Sequence, residues 1–200
     1  MDILNEIITR EKFDYIKEKY GNVGSWAIWA EEGDKPKSNI ADLTVLDPDI
    51  NNNLLSQLKP NAVFIGLNIS REVEVPFANF HDKRPGSNDF KIRYAFRGMP
   101  YWGGYMTDII KDLEQKISGK VISYLKNHKE FEKENIEIFL QELVDIGANN
   151  PTLIAFGNDS YKILKRNLSD KFKIFKVPHY AQYISKEKYK EQVDLILNTL

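Results

Sequence analysis

Hydrophobic positions recur along this chain in two periods, and the alternation between them predicts the fold. Ile3, Leu4, Ile7, Ile8, Phe13 and Ile16 fall at near-helical spacing, so a helix is expected over residues 2–20, with Gly21 to stop it. Segment 24–46, with GSWAIWAEEGDKPKSN at its heart, is irregular and reads as a strand or loop followed by a turn. Asp47-Pro48 opens a short helix as far as Leu58, because proline suits a first helical turn, and Pro60 breaks the chain. Ala62-Val63-Phe64-Ile65-Gly66-Leu67 is short, apolar and without alternation, as expected of a strand buried on both faces of a parallel sheet. A loop spans residues 68–88, long enough to mark a functional or disordered segment. A helix around 89–97 precedes a second strand, Tyr105–Ile110. Residues 130–147 make the strongest helix, striped by Phe131, Ile136, Phe139, Leu140 and Leu143. Thr152–Gly157 is a third strand, and Asn158 or Asp159 caps the helix that runs from there to about Leu168. Phe172–Val177 is a fourth strand. Ser185 caps a last helix over 185–199, with Tyr189, Val193, Leu195 and Ile196 inward.

Buried strands alternating with helices predict an α/β class: three layers, α/β/α, around a mostly parallel sheet of about four strands. The 200 residues suit one domain, with a core over 60–199 and a helical segment, 1–59, packed on it. No apolar run approaches the roughly 20 residues that span a bilayer, and the acidic, amphipathic N-terminus is unlike a signal peptide, so a cytoplasmic location without membrane contact is expected. There is no cysteine, hence no disulfide, no thiolate nucleophile and no cysteine-ligated zinc or iron–sulfur cluster. His81, His128 and His179 are scattered without paired helical spacing, so neither a metal nor an organic cofactor is expected. The net charge of -1 sets the chain apart from strongly basic nucleic-acid binders. Residues 1–50 carry 6 basic and 11 acidic side chains, however, and residues 151–200 carry 9 and 5. That C-terminal excess either faces a phosphate backbone or is ordinary solvated surface.

In parallel sheets ligands bind beyond the carboxyl ends of the strands. Those ends hold Gly66-Leu67-Asn68-Ile69-Ser70, Thr107-Asp108, Gly157-Asn158-Asp159-Ser160 and Val177-Pro178-His179-Tyr180. Each has a plain explanation alone: Gly and Asn form turns, an aspartate caps or is solvated, a histidine is structural. Their joint order along the chain is what points to a site.

In that order the segments resemble the uracil-DNA glycosylase superfamily over roughly residues 60–190. GLNIS looks like the family's Gly-x-Asp/Asn-Pro-type motif, in the asparagine form of the mismatch-specific branch, with Ile69 in place of the proline. YMTDIIK resembles a Thr-Asn-x-x-Lys-like stretch, with Thr107, Asp108 and Lys111 in step. LIAFGNDSYKIL resembles the strand–glycine–helix element that follows. KVPHYAQYIS is similar to the His-Pro-Ser segment, with Tyr180 and Ala181 where proline and serine are usual.

The resemblance implies hydrolysis of the N-glycosidic bond of a flipped, uracil-like or deaminated base in single-stranded or mismatched DNA, or action on a free base or nucleotide. Asn68 would orient water and His179 would donate a hydrogen bond to the departing base. An asparagine amide takes no proton near neutral pH, so catalysis would be slow unless Asp82, Asp89 or Asp108 supplies a carboxylate. Base-binding falls to Asp108, Phe77, Phe80 and Asn158, although either phenylalanine serves equally to pin the loop to the core. Asp108 accepts but does not donate, and so does not copy an asparagine's two contacts to uracil. DNA contacts fall to Ser70 and Lys111, and to Tyr183 or Ile184 as a wedge in the vacated stack. His81 stands beside Phe80 and is within reach of the site by sequence, while His128 reads as solvated. KIRYAFRGMPYW (91–102) grips phosphate or is an ordinary helix and turn. Two rival readings stand: a non-catalytic nucleic-acid or nucleotide binder that kept the fold, and an unrelated small-molecule enzyme on a similar sheet.

Overall fold

The computed structural model describes residues 7–198. Strands β1 (Ser25–Trp26), β2 (Lys59–Asn68), β3 (Gly104–Ile110), β4 (Thr152–Phe156) and β5 (Lys173–Val177) form one sheet in the order β1-β3-β2-β4-β5. The last four run parallel, as the unalternating apolar runs of β2, β3 and β4 predict, with β5 as a half-exposed edge. The short β1 adds an antiparallel edge, with Ser25 opposite Met106 and Trp26 opposite Tyr105.

Successive side chains of a strand point to opposite faces, and both faces are covered. On one, Val63, Ile65, Tyr105 and Leu153 pack with α1 (Arg10–Tyr20), α4 (Ser118–Asn127), α5 (Lys129–Asp145) and α6 (Asn158–Leu168). On the other, Phe64, Met106, Ile154 and Phe156 pack with α3 (Asp89–Phe96) and α7 (Lys186–Leu197). The architecture is therefore α/β with helices on both faces of a mostly parallel sheet. Among the described residues no helix is long and apolar enough to cross a membrane.

Several local expectations are corrected. The first helix starts at Arg10, where Thr9 Oγ1 accepts the Lys12 N–H at 3.2 Å, and Ile7 is exposed. Ile3 and Leu4 lie outside the described residues. Asp47-Pro48 opens no helix: Asp47 ends a 3-10 turn, Leu43–Leu46, and its side chain accepts the Asp49 N–H, holding the chain in turns until the four-residue α2 (Leu54–Gln57). Pro60 lies inside β2, beside the irregular register between Lys59 and Val63, where a missing ladder donor is tolerated. The helix α4 was not expected. Gly157, at φ +87°, takes the N-cap position of α6, so Asn158 and Asp159 sit in its first turn. In α7, Ser185 caps as expected, but Leu195 faces out at 72% exposure and Leu197 takes the inward place.

Candidate functional site

The carboxyl ends of β2, β3, β4 and β5 open on one cleft of about 720 Å³. Asn68, Asp108 and His179 all line it, although they come from segments far apart in the chain. Ser70 and Asn158 also line it, both exposed, and Asn158 Oδ1 accepts from Lys176 Nζ at 3.1 Å.

Asp108 sits opposite Gly66 in the parallel register of β2 and β3. A Cβ on residue 66 would lie 2.2 Å from Asp108 Oδ1, so only glycine leaves room for this carboxyl. Asp108 Oδ2 accepts from Asn79 Nδ2 at 3.0 Å. The residue is only 5% exposed, and that burial pushes its carboxyl up to about 6, against the opposing pull of the Asn79 hydrogen bond and the Lys111 charge.

Asn68 Nδ2 donates toward three backbone carbonyls, Ile69 at 3.0 Å, Leu113 at 3.0 Å and Gln115 at 2.8 Å. Three oxygens around one end fix which end is the nitrogen. The amide thus anchors the loop after β3 and leaves Oδ1 as its acceptor.

His179 Nδ1 accepts the Ala181 N–H at 3.1 Å. Burial lowers the ring's pKa below 6.5, with Asp159 pulling the other way, so the imidazole is neutral at pH 7. A neutral ring that accepts at Nδ1 carries its proton on Nε2, which makes it a hydrogen-bond donor there. The ring stacks on Tyr180 at 4.5 Å and 21°, and a Cβ on Gly157 would meet His179 Cβ at 3.2 Å.

Other expected site residues are not brought to the cleft. Phe77 is 1% exposed and packs edge-tilted on Phe13, 5.5 Å away, in the core under α1. Phe80 is also buried, but it lies behind the site: its Cζ would be 3.3 Å from a Cβ on Gly66, and its ring is 6.4 Å from Tyr180. Lys111 is buried: Nζ pairs with Glu142 Oε2 at 2.7 Å and donates to Thr107 Oγ1 at 2.7 Å and to the Asp108 carbonyl. It is spent on a buried carboxylate and does not line the cleft. Tyr183 is fully exposed, next in the chain to Gln182 of the cleft wall. Ile184 packs partly against the core. His81 is buried against Trp29 and lies 3.3 Å from the Trp26 carbonyl through Nε2, and burial lowers it to about 4. His128 is exposed and stacks on Tyr124.

Among the three carboxylates, Asp82 pairs with Arg71 at 2.8 Å and Arg84 at 3.1 Å, and Asp89 is buried with its Oδ2 accepting the Asp82 N–H at 2.8 Å. Only Asp108 of the three lines the cleft. The basic groups of 91–97 are structural: Lys91 donates to the Gln182 carbonyl, Arg93 to those of Ala30, Ser38 and Pro36, and Arg97 pairs with Glu31.

Two cleft features escaped sequence reasoning. Tyr180 is an aromatic wall in place of Phe77, and it follows His179 directly in the chain. Asn79 orients Asp108, and nothing in its local pattern marks it. Among the described residues no group of three His, Asp or Glu side chains is arranged to hold a metal ion. No family model matches the chain, and no curated protein or solved structure matches it either.

Proposed function

We propose that the protein is a uracil-DNA glycosylase-like N-glycosyl hydrolase that takes a flipped nucleobase into the cleft. One observation carries this reading: the amide of Asn68, the carboxyl of Asp108 and the imidazole of His179 meet on one cavity wall system at the carboxyl edge of the sheet. Heterolysis of a glycosidic bond leaves positive charge on the sugar and negative charge on the base. A neutral His179 with its proton on Nε2 supplies a donor for the departing base without carrying charge of its own. Asn68 Oδ1 is an acceptor that orients a water, and Asp108 is the nearby carboxylate. Tyr180, stacked against the His179 ring, gives the cleft an aromatic wall, and the fully exposed Tyr183 suits a wedge.

The rival reading, a binder of nucleic acid or nucleotide without catalysis, draws support from the Asn68 amide nitrogen, which is committed to holding three loop carbonyls. Purified protein incubated with oligonucleotides carrying uracil, hypoxanthine, xanthine or a mismatch distinguishes them. Abasic sites that form with the native chain and fail to form with Asn68→Ala and His179→Ala support hydrolysis. Binding without abasic product favours the binder, and neither result leaves a small-molecule enzyme.

A further inference from the structure

Asn79 and Asp108 form a unit, and the chemistry above assigns Asn79 no part in it. Asn79 Nδ2 donates to the Val23 carbonyl at 2.8 Å and to Asp108 Oδ2 at 3.0 Å, so both amide hydrogens are committed and the carboxyl cannot rotate freely. Asn79 lies between Phe77 at φ +66° and Phe80 at φ +64°, a left-handed conformation that bulky residues rarely adopt. Such strain persists only where surrounding contacts over-determine it, and they do. The Phe77 carbonyl accepts from Ser25 Oγ at 2.7 Å, its N–H donates to Gly21 at 2.7 Å, and the Phe80 carbonyl accepts from Trp29 Nε1 at 3.1 Å. The segment is bolted at both ends with Asn79 aimed at Asp108.

One carboxyl oxygen is thereby fixed, and no protein donor among the described residues reaches the other, Oδ1, which stands over the bare Gly66 Cα of the cleft wall. The Lys111 cation does not fill that role, since it is held on the opposite face by Glu142 and Thr107. We propose that Asp108 Oδ1, set by Asn79, is a specificity-determining acceptor that selects bases presenting adjacent N–H donors, the ring N–H and exocyclic amino group of a guanine-type edge. The inference rests on the reading of the cleft as a nucleobase site.

A carboxylate accepts only. Against uracil it meets one N–H flanked by two carbonyl oxygens, and oxygen facing oxygen is repulsive. Against adenine or cytosine it meets an amino group beside a ring acceptor. Guanine, and derivatives of it that keep N1–H and the 2-amino group, offer two donors side by side, matching an acceptor-only wall. An asparagine at 108 would invert the pattern. Its oxygen would take the Asn79 N–H, and its amide N–H₂ would stand over Gly66, a donor suited to a carbonyl oxygen.

Binding of 2′-deoxyguanosine, 2′-deoxycytidine and 2′-deoxyuridine to the native chain, Asp108→Asn and Asn79→Ala, measured by titration calorimetry, tests this without requiring bond cleavage. The native chain should prefer deoxyguanosine to deoxyuridine by about tenfold, the low end of the discrimination that hydrogen bonds to a base edge give, with Oδ1 accepting from both guanine donors through its two lone pairs. Asp108→Asn should reverse the order, and Asn79→Ala should narrow the preference while still binding. Equal affinities that neither variant alters overturn the inference and leave the hydrolase reading to the abasic-site assay. Selectivity without abasic product sustains the inference for a nucleoside binder. Binding of no nucleoside overturns it whatever that assay shows.

Discussion

Replacing Gly66 by alanine tests the geometry of the cleft wall without reference to any ligand. The added Cβ would lie 2.2 Å from Asp108 Oδ1, 3.2 Å from its Cγ and 3.3 Å from Phe80 Cζ. Asp108 is buried and tied through Oδ2 to Asn79, so it can move only by breaking that bond. Losing a hydrogen bond to a charged group costs about 1.5–3 kcal/mol, and overpacking a tight site adds about 1–3 kcal/mol. Removing glycine from a strand returns about 0.5–1 kcal/mol. The net expectation is roughly 2–5 kcal/mol of lost stability, or roughly 5–15 °C in Tm for a domain of this size. Urea unfolding followed by tryptophan fluorescence should be run on the native chain, Gly66→Ala, Asp108→Ala and the double variant. With Asp108 truncated, the new methyl enters vacated space, and its penalty should fall below about 1 kcal/mol, a coupling typical of residues in contact. A Gly66→Ala protein within about 0.5 kcal/mol of native, or the same penalty in both backgrounds, refutes the reasoning.

Asp108→Asn carries a pH signature. Its carboxyl sits at about 6 instead of 3.8 because burial disfavours the charge, so the folded chain holds that proton more tightly than the unfolded one. The benefit is complete below pH 3.8 and is lost as pH rises through 6; it amounts to about 3 kcal/mol. The stability of Asp108→Asn should therefore gain on the native chain by roughly 2 kcal/mol between pH 4 and pH 7.5 in urea titrations, and parallel curves contradict it. Lys111→Met leaves Glu142, fully buried, with only the Tyr105 and Thr107 hydroxyls, and should destabilise by about 3–5 kcal/mol, partly restored by adding Glu142→Gln. A loss under 1 kcal/mol, as for a surface lysine, argues against the pair. Phe77→Leu should lower stability by about 1 kcal/mol and leave nucleoside affinity unchanged; weakened binding in the same titration would return Phe77 to the cleft.

The three central parallel strands were legible because a strand buried on both faces has few polar positions to confuse its length, whereas the edge strand β5 keeps Lys173 and Lys176 exposed. Val63 to Ile65 and Leu153 to Phe156 pack alternately onto two cores, and the whole run reads as apolar. Capping by Ser185 was legible for the same local reason, since a side chain bonding a backbone N–H three residues on needs no distant partner. Lys111 was not, because its partner Glu142 lies 31 residues away on α5, and a lysine beside a strand end looks solvated until that carboxylate arrives. Phe77 and Phe80 were ambiguous for a different reason. Their rings diverge, one into each core, both backbones adopt positive φ, and phenylalanine carries no signal for that conformation. The start of α2 was misread because Asp47-Pro48 ends one turn as readily as it opens another.

Strand parity decides which side chains can do chemistry here. Read along the chain, Thr107, Asp108 and Lys111 look like one motif. Folded, the pleat divides them: Thr107 and Lys111 turn to the α5 face, where the Glu142 carboxylate gathers both, while Asp108 turns the other way, over Gly66. The lysine's charge is then consumed within the core, and the aspartate meets the cleft with no cation bonded to its free oxygen. Parallel register completes the effect, because it sets Gly66 beside Asp108, and the one residue without a side chain makes room for a carboxylate at the mouth of the sheet. A single-residue slip between β2 and β3 would set Ile65 or Leu67 opposite Asp108 instead and close the acceptor site. The chemistry of the cleft is thus a consequence of strand pairing, and any perturbation of that register should alter ligand selectivity before it alters the layered fold.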